Sequence, residues 1–69
     1  MKNGYTVHLY QESVDTIIAW FLSRTDMERY IDDLMLTEFY TSCIHTTLNG
    51  FDNSTEKKVY SLSNYEQHG

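Results

Sequence analysis

The chain is short of several residue types that define common classes of small protein. Among its 69 residues there is one cysteine, Cys43, so no disulfide can form within the chain. This excludes a small secreted fold held together by disulfides. A domain of this size without such links depends on one small hydrophobic core. Proline is absent and glycine occurs three times, without the glycine-rich loop that binds phosphate.

Basic residues are also scarce. Five Lys and Arg stand against ten Asp and Glu, which gives a formal net charge of −5 and a pI of about 4.8. Proteins that bind nucleic acid directly need a basic face to neutralise phosphates, and an anionic membrane surface makes the same demand. We therefore expect no direct contact with nucleic acid or with a membrane.

No long hydrophobic run is present. The longest, at 17–22, is far below the roughly 20 residues of a membrane-spanning helix. The first five residues lack the apolar core of a signal peptide. Hydrophobic residues make up 41% of the chain, as in ordinary globular domains. The sequence thus predicts one small cytoplasmic domain over 1–69, in which 65–69 form a frayed tail.

Alternation with period two predicts strands near both ends of the chain. In 5–10, Tyr5, Val7 and Leu9 share one face, which is typical of a half-buried strand. Residues 57–64 alternate in the same way and predict a final strand.

The part before this final strand predicts its hairpin partner. Residues 39–48 are rich in Thr, aromatic and β-branched residues, which favours a strand. The dipeptide at 49–50, Asn-Gly, predicts a turn, and 51–56 read as a polar loop.

The clearest helix signal begins at Thr25. Thr25 and Glu28 have the spacing of a capping box. Apolar residues then recur at the spacing of one helix face: Met27, Tyr30, Ile31, Leu34 and Met35. The sequence therefore predicts a helix over 26–36.

The segment 14–22 allows two interpretations. Its apolar residues fall at the spacing of a helix face, with Ser13 as the cap. The run at 17–22 is also typical of a strand buried on both faces, with 11–15 as a hairpin loop. This apolar stripe is out of phase with that of 26–36, which favours the strand. We expect an α+β fold, an antiparallel sheet with helix on one face, ordered β-β-α-β-β, or β-α-α-β-β if the segment is helical.

Negative charge is concentrated in the middle of the chain. In 26–39, five carboxylates face Arg29 alone and leave a net charge of −4; they belong to Asp26, Glu28, Asp32, Asp33 and Glu38. A well-solvated helix face is one explanation, and a surface that docks on a basic patch of another protein is the other.

Residues suited to catalysis or metal binding are few. Cys43 and His45 share a face of the predicted strand, and His8 joins them if its strand is adjacent. No spacing matches a zinc motif, and side chains at i and i+2 stand parallel, so neither is aimed at the other. We expect no metal, no cofactor and no enzymatic activity.

Tyrosine is plentiful, with six residues. Tyr5, Tyr30, Tyr40 and Tyr60 are expected in the core, whereas Tyr10 and Tyr65 exceed what so small a core needs. Exposed tyrosine is enriched at protein interfaces, so these two are candidate anchors for a partner.

These observations predict a non-enzymatic acidic binding module. Its partner would be a larger protein with a basic surface, such as the nucleic-acid-binding face of an enzyme, which the module would occlude by mimicking phosphate. Small inhibitors from phages and mobile elements, including anti-CRISPR proteins, offer an analogy of size and charge. The predicted contacts are Asp26, Glu28, Asp32, Asp33, Glu38, Tyr10 and Tyr65. The alternative is a homodimer or larger homo-oligomer with an accessory role, formed through a bare sheet face.

Overall fold

The described part of the chain forms a four-stranded antiparallel sheet with one helix packed on one face. The structure, a computed structural model, describes residues 3–11, 13–36 and 46–63. In chain order the elements are β1 (Tyr5–Gln11), β2 (Val14–Phe21), α1 (Arg24–Leu36), β3 (Thr46–Asp52) and β4 (Lys57–Ser63). The predicted order β-β-α-β-β is confirmed, and the helical alternative for 14–22 is wrong. The described part of the chain contains no helix long and apolar enough to span a membrane.

The strands lie in the order β2-β1-β3-β4, so β1 and β3 are central and β2 and β4 are edges. In the first hairpin Gln11 pairs with Val14, so the paired positions are three apart along the chain. Ser13 has a φ of 72°, in the left-handed region that two-residue hairpin loops require. The loop predicted over 11–15 is therefore too long, because Asp15 already pairs with Tyr10.

The turn predicted at Asn49-Gly50 is wrong, since both residues lie inside β3. The chain reverses at 53–56, where the Thr55 amide donates to the Asp52 carbonyl at 3.2 Å. A Cβ at Gly50 would stand 2.6 Å from Sδ of Met27. Glycine at this position makes room for the helix and does not turn the chain. Of the strand predicted over 39–48, residues 46–48 belong to β3 and the others lie outside the described residues.

The core lies between α1 and the two central strands. Val7, Met27, Ile31 and Leu48 are almost completely buried there. The apolar stripe predicted for the helix faces this core, as does the predicted inner face of β1. Partly buried residues that pack against the core include Tyr5, Tyr30 and Tyr60, as expected, while Tyr40 lies outside the described residues.

The edge strand β2 is far more exposed than the sequence predicts. Val14 and Ile17 are 61% and 60% exposed, so the expectation of burial on both faces is wrong. The physical reason is its position, because β2 pairs with β1 alone and the helix covers only part of its inner face. Ile18, Ala19 and Phe21, nearer the helix, are partly buried against the core.

The helix is capped by Ser23 and not by Thr25. Ser23 Oγ accepts hydrogen bonds from the backbone amides of Thr25 and Asp26, at 3.2 and 3.4 Å. These are the two amides that an N-cap side chain normally serves. The predicted capping box is therefore wrong, and the helix begins at Arg24. Glu28 instead accepts a hydrogen bond from Nε of Arg24.

Candidate functional site

Four of the predicted contact residues lie on α1, the outer layer of the molecule. Asp26, Asp32 and Asp33 are exposed, and we call these three carboxylates the acidic surface. Glu28 is only partly exposed and forms an ion pair with Arg24, whose Nε lies 2.8 Å from Oε2. Because Arg24 neutralises Glu28, the charge available to a partner comes from the acidic surface.

The remaining predicted contacts do not join this surface. Tyr10 is 44% exposed, as expected, but the register of β1 turns it to the sheet face opposite α1. Glu38 and Tyr65 lie outside the described residues. Tyr10 and the acidic surface therefore occupy opposite sides of the molecule.

The carboxylates of α1 flank the outer side of the helix. At about 100° per residue, Asp26 and Asp33 fall on one flank and Glu28 and Asp32 on the other, with Arg29 between them. Asp26 lies in the first turn, where the helix dipole favours anions. Asp33 lies in the last turn, where the dipole disfavours them and where α1 has no basic residue. The helix dipole thus accounts for Asp26 in the first turn and does not account for Asp33 in the last turn.

One carboxylate of the acidic surface is held by the sheet. The hydroxyl of Tyr60 on β4 donates a hydrogen bond to Oδ1 of Asp32 at 3.3 Å. Burial raises the pKa of Tyr60, and the charge of Asp32, this hydrogen bond and the charge of Glu28 raise it further. Because Tyr60 remains protonated at neutral pH, it is a persistent donor that orients Asp32.

The sheet face opposite α1 is the second candidate surface. Strand register assigns the following residues to this open face: Thr6, His8, Tyr10, Asp15, Ile17, Trp20, Thr47, Asn49, Phe51, Lys58 and Ser61. Among the described elements none packs on it, because the core contacts of α1 are all on the other face.

Large apolar side chains are exposed on the open face. Tyr10, Ile17 and Trp20 are 44%, 60% and 43% exposed. Gly4, with a φ of 149°, lies against the indole, since a Cβ there would stand 2.6 Å from Trp20. Antiparallel sheets with one solvated face normally alternate apolar residues inward and polar residues outward. This face departs from that pattern on β2, where Ile17 and Trp20 point outward.

A chain of hydrogen bonds crosses the open face. Oδ1 of Asp15 lies 3.0 Å from Nδ1 of His8, and Nε2 of His8 lies 3.1 Å from Oγ1 of Thr6. Thr6 in turn donates to Oδ1 of Asn53 at 3.1 Å. The His8 ring also packs on Phe51, with 4.5 Å between centroids. The result is a clamp that joins β2, β1 and the turn after β3.

The order Asp15, His8, Thr6 resembles a nucleophilic triad, but its geometry serves another purpose. A nucleophile needs its hydroxyl proton directed to the base and its oxygen open to substrate. The Thr6 hydroxyl donates to Asn53, and Thr6 is only 7% exposed. The clamp therefore fixes His8 between two strands and presents no nucleophile.

Residues considered for a metal site are only partly described. Cys43 and His45 lie outside the described residues, and His8 takes part in the clamp. Within 3–11, 13–36 and 46–63, no group of three or more His, Cys, Asp or Glu side chains is placed to hold a metal ion.

The sequence contained a signal for the clamp that its strand predictions missed. Period-two alternation puts Thr6 and His8 on one face, and a tight hairpin in which Gln11 pairs with Val14 brings Asp15 next to His8. The longer predicted loop placed Asp15 outside the strand and hid this pairing.

Comparison with protein-family models, curated proteins and solved structures finds no match. The candidate surfaces are therefore defined by the chain's own geometry.

Proposed function

We propose that this chain is a non-enzymatic binding module whose acidic surface docks on a basic surface of a larger protein. The target surface is one that binds nucleic acid, and the module blocks it by placing carboxylates where phosphates would lie. Complementary charge of this kind raises the association rate and selects the partner. The proposal concerns Asp26, Asp32 and Asp33, because Glu28 is already paired with Arg24.

Asp33 is the observation that carries the proposal. An anion in the last turn of a helix costs a few tenths of a kcal/mol, because the exposed carbonyls there are partially negative. Asp33 is exposed, and α1 has no basic residue in this turn to offset the cost. The helix dipole does not favour an acid at this position, whereas contact with a basic partner would make use of it.

Asp32 supports the proposal through its restrained geometry. A side chain that is already held in one orientation loses less conformational entropy on binding. The hydrogen bond from Tyr60 restrains Asp32 in this way. The acidic surface thus combines a preorganised carboxylate with two free to adjust to the partner.

The test is a pull-down from cell lysate with the tagged protein at low and at high salt. The expected result is a protein that is captured at low salt, released at high salt and displaced by heparin, a polyanion that competes for basic surfaces. Asp33→Lys should abolish capture. Glu56→Lys, an equal charge change in the exposed turn before β4, should leave capture intact.

Two outcomes contradict the proposal. One is capture that resists both high salt and heparin. The other is equal loss of capture in Asp33→Lys and Glu56→Lys, which would reduce the effect to net charge. Circular dichroism of both variants verifies that each is folded, and Asp33→Lys should keep its helix because a cation suits the last turn.

A further inference from the structure

We infer that the folded chain holds His8 as a doubly protonated imidazolium, so that the clamp is a proton-dependent switch in the hydrogen bonding of the turn after β3. The inference goes beyond the proposed function and does not depend on it, because the clamp lies on the sheet face opposite α1. It follows from the protons that the hydrogen bonds of the clamp require.

The bond between Thr6 and Asn53 determines whether Nε2 of His8 carries a proton. A threonine hydroxyl has one proton. Oγ1 of Thr6 donates this proton to Oδ1 of Asn53 at 3.1 Å. Oγ1 can therefore act only as an acceptor towards Nε2 of His8, which lies 3.1 Å away. A hydrogen bond between these two atoms requires a proton on Nε2.

The other side of the ring requires a proton as well. Oδ1 of Asp15 lies 3.0 Å from Nδ1 of His8, and a carboxylate accepts hydrogen bonds but donates none. A neutral imidazole has one N–H group, so it can donate to Asp15 or to Thr6 but not to both. The clamp is therefore complete only with an imidazolium, and the contact with Asp15 is then an ion pair.

The uncharged neighbours of His8 favour a positive charge on the ring. The imidazole packs on Phe51 with 4.5 Å between centroids, and aromatic rings attract cations. On β3 the residue paired with His8 is Asn49, whose buried Oδ1 has no hydrogen-bond partner. An unpaired acceptor in a buried position is costly, and a neighbouring cation reduces this cost.

The charged neighbours favour it too. On the described part of the open face, β2 contributes Asp15, β4 contributes Lys58, and β3 contributes no titratable side chain; Tyr10 is the other titratable group on β1. Lys58 opposes a second cation, but β4 lies two strands from β1, a distance of about 10 Å. Because Asp15 is in direct contact with the ring, its attraction outweighs the repulsion from Lys58.

Loss of one proton rearranges the clamp. The bond to the carboxylate of Asp15 is charge-assisted and therefore the stronger, so the neutral ring keeps its proton on Nδ1. Nε2 then becomes an acceptor, and the Thr6 hydroxyl turns away from Asn53 to donate to it. The side chain of Asn53 is released, while its backbone amide still donates to the Gly4 carbonyl at 2.9 Å. The switch thus frees a side chain of the turn without unfolding the sheet.

The first test observes the ring nitrogens of His8 by nitrogen NMR, with His8→Gln to assign the signals. Free imidazole side chains titrate near pH 6.5, so a measurement at about pH 7.5 separates the two states. Both nitrogens of His8 should be protonated in the folded chain, whereas the chain unfolded in urea should show a mostly neutral ring. A neutral His8 ring in the folded chain at this pH overturns the inference.

Matched variants test the proton count. Asn53→Ala keeps the contact between Thr6 and His8 but frees the hydroxyl proton of Thr6, which can then be donated to a neutral Nε2. His8 should therefore become neutral at about pH 7.5 in this variant. Thr16→Val, at an exposed threonine of β2, should leave the ring protonated. A ring that stays protonated in Asn53→Ala contradicts the inference, because the charge would then depend on Asp15 alone.

The second measurement is urea denaturation at about pH 5.5 and about pH 8.5, on either side of imidazole titration. Where the folded chain retains a proton that the unfolded chain releases, stability falls as the pH rises. A proton retained for about one pH unit should raise the equilibrium constant for unfolding about tenfold. His8→Gln should lack this increase, and the other two histidines contribute equally to both chains. The same pH dependence in the unmodified chain and in His8→Gln overturns the inference.

Discussion

Gly50 lies directly below the side chain of Met27, so close that a methyl group on Gly50 would stand 2.6 Å from the Met27 sulfur. Met27 is completely buried at the centre of the core, with Val7, Ile31 and Leu48. The distance between helix and sheet at this point is therefore set by the absence of a side chain on β3.

Gly50→Ala should destabilise the protein by about 1–3 kcal/mol, because the added methyl overpacks a closed core. The measurement is the free energy of unfolding in urea. In a Met27→Ala background the space is available, and the same substitution should be neutral or slightly stabilising, since alanine restricts the unfolded chain more than glycine does. An equal cost in both backgrounds would show that Met27 is not the obstacle.

Ser23→Ala should cost about 1 kcal/mol of stability, because two backbone amides at the start of α1 lose their acceptor. Thr25→Ala should change stability much less, since Thr25 lies one residue inside the helix. Thermal unfolding of both variants, followed by circular dichroism, distinguishes the two caps. If Thr25→Ala lost more stability than Ser23→Ala, the capping box of Thr25 and Glu28 would be the true N-terminal cap of the helix.

Thr6→Val should destabilise the protein by about 1–3 kcal/mol, because it retains shape and β-branching but leaves polar groups of the clamp unpaired. The groups affected are Nε2 of His8 and Oδ1 of Asn53. Thr16→Val, at an exposed threonine of β2, is the control and should have little effect. Urea denaturation of both variants provides the comparison, and equal stability would contradict the clamp.

The pKa of Tyr60, raised by burial and then by the charge of Asp32, makes stability sensitive to alkali. A tyrosine with a higher pKa in the folded chain stabilises the fold below the ordinary value of 10.0. That contribution is lost as the pH rises through the raised value. Asp32→Asn should lower the pKa of Tyr60 and bring the loss to lower pH.

Ultraviolet titration of tyrosinate measures this effect. Subtracting the curve of Tyr60→Phe isolates Tyr60 from the other tyrosines, and the same subtraction in an Asp32→Asn background gives the contribution of the carboxylate. Identical Tyr60 curves with and without the Asp32 charge would mean that Asp32 does not raise the pKa of Tyr60.

The sequence predicts the parts of the fold in which local pattern and tertiary position agree. The stripe from Met27 to Met35 faces the core over the whole helix, and Val7 lies on the inner face of β1 as alternation requires. Each of these elements is amphipathic, and the sheet and helix simply bring the two apolar sides together.

The features that the sequence misses depend on neighbours distant along the chain. Asn49-Gly50 has the composition of a turn, but whether Gly50 turns the chain or makes room for a helix is decided by Met27, which lies far away in sequence. The exposure of Ile17 follows from the edge position of β2, which is a property of the whole sheet. Neither the role of Gly50 nor the exposure of Ile17 can be predicted from local propensity.

The candidate surfaces divide in the same way. The carboxylates of α1 are recognisable from helix spacing alone, whereas the open face requires strand order and register. The sequence assigns Tyr10 and Asp33 to one binding surface, whereas in the structure the sheet lies between them.

The strand order also has a consequence for the kinetics of folding. The β1–β2 and β3–β4 pairs join strands that are neighbours in the sequence. The β1–β3 pairing instead joins Tyr5 to Asp52, which are separated by most of the length of the chain. Closing short loops costs less entropy than closing long ones, so we expect the two neighbouring pairs to form ahead of the central one. We expect the transition state to be the meeting of these two preformed halves along the β1–β3 seam. The connection between the two halves, which contains α1, then determines how often they meet.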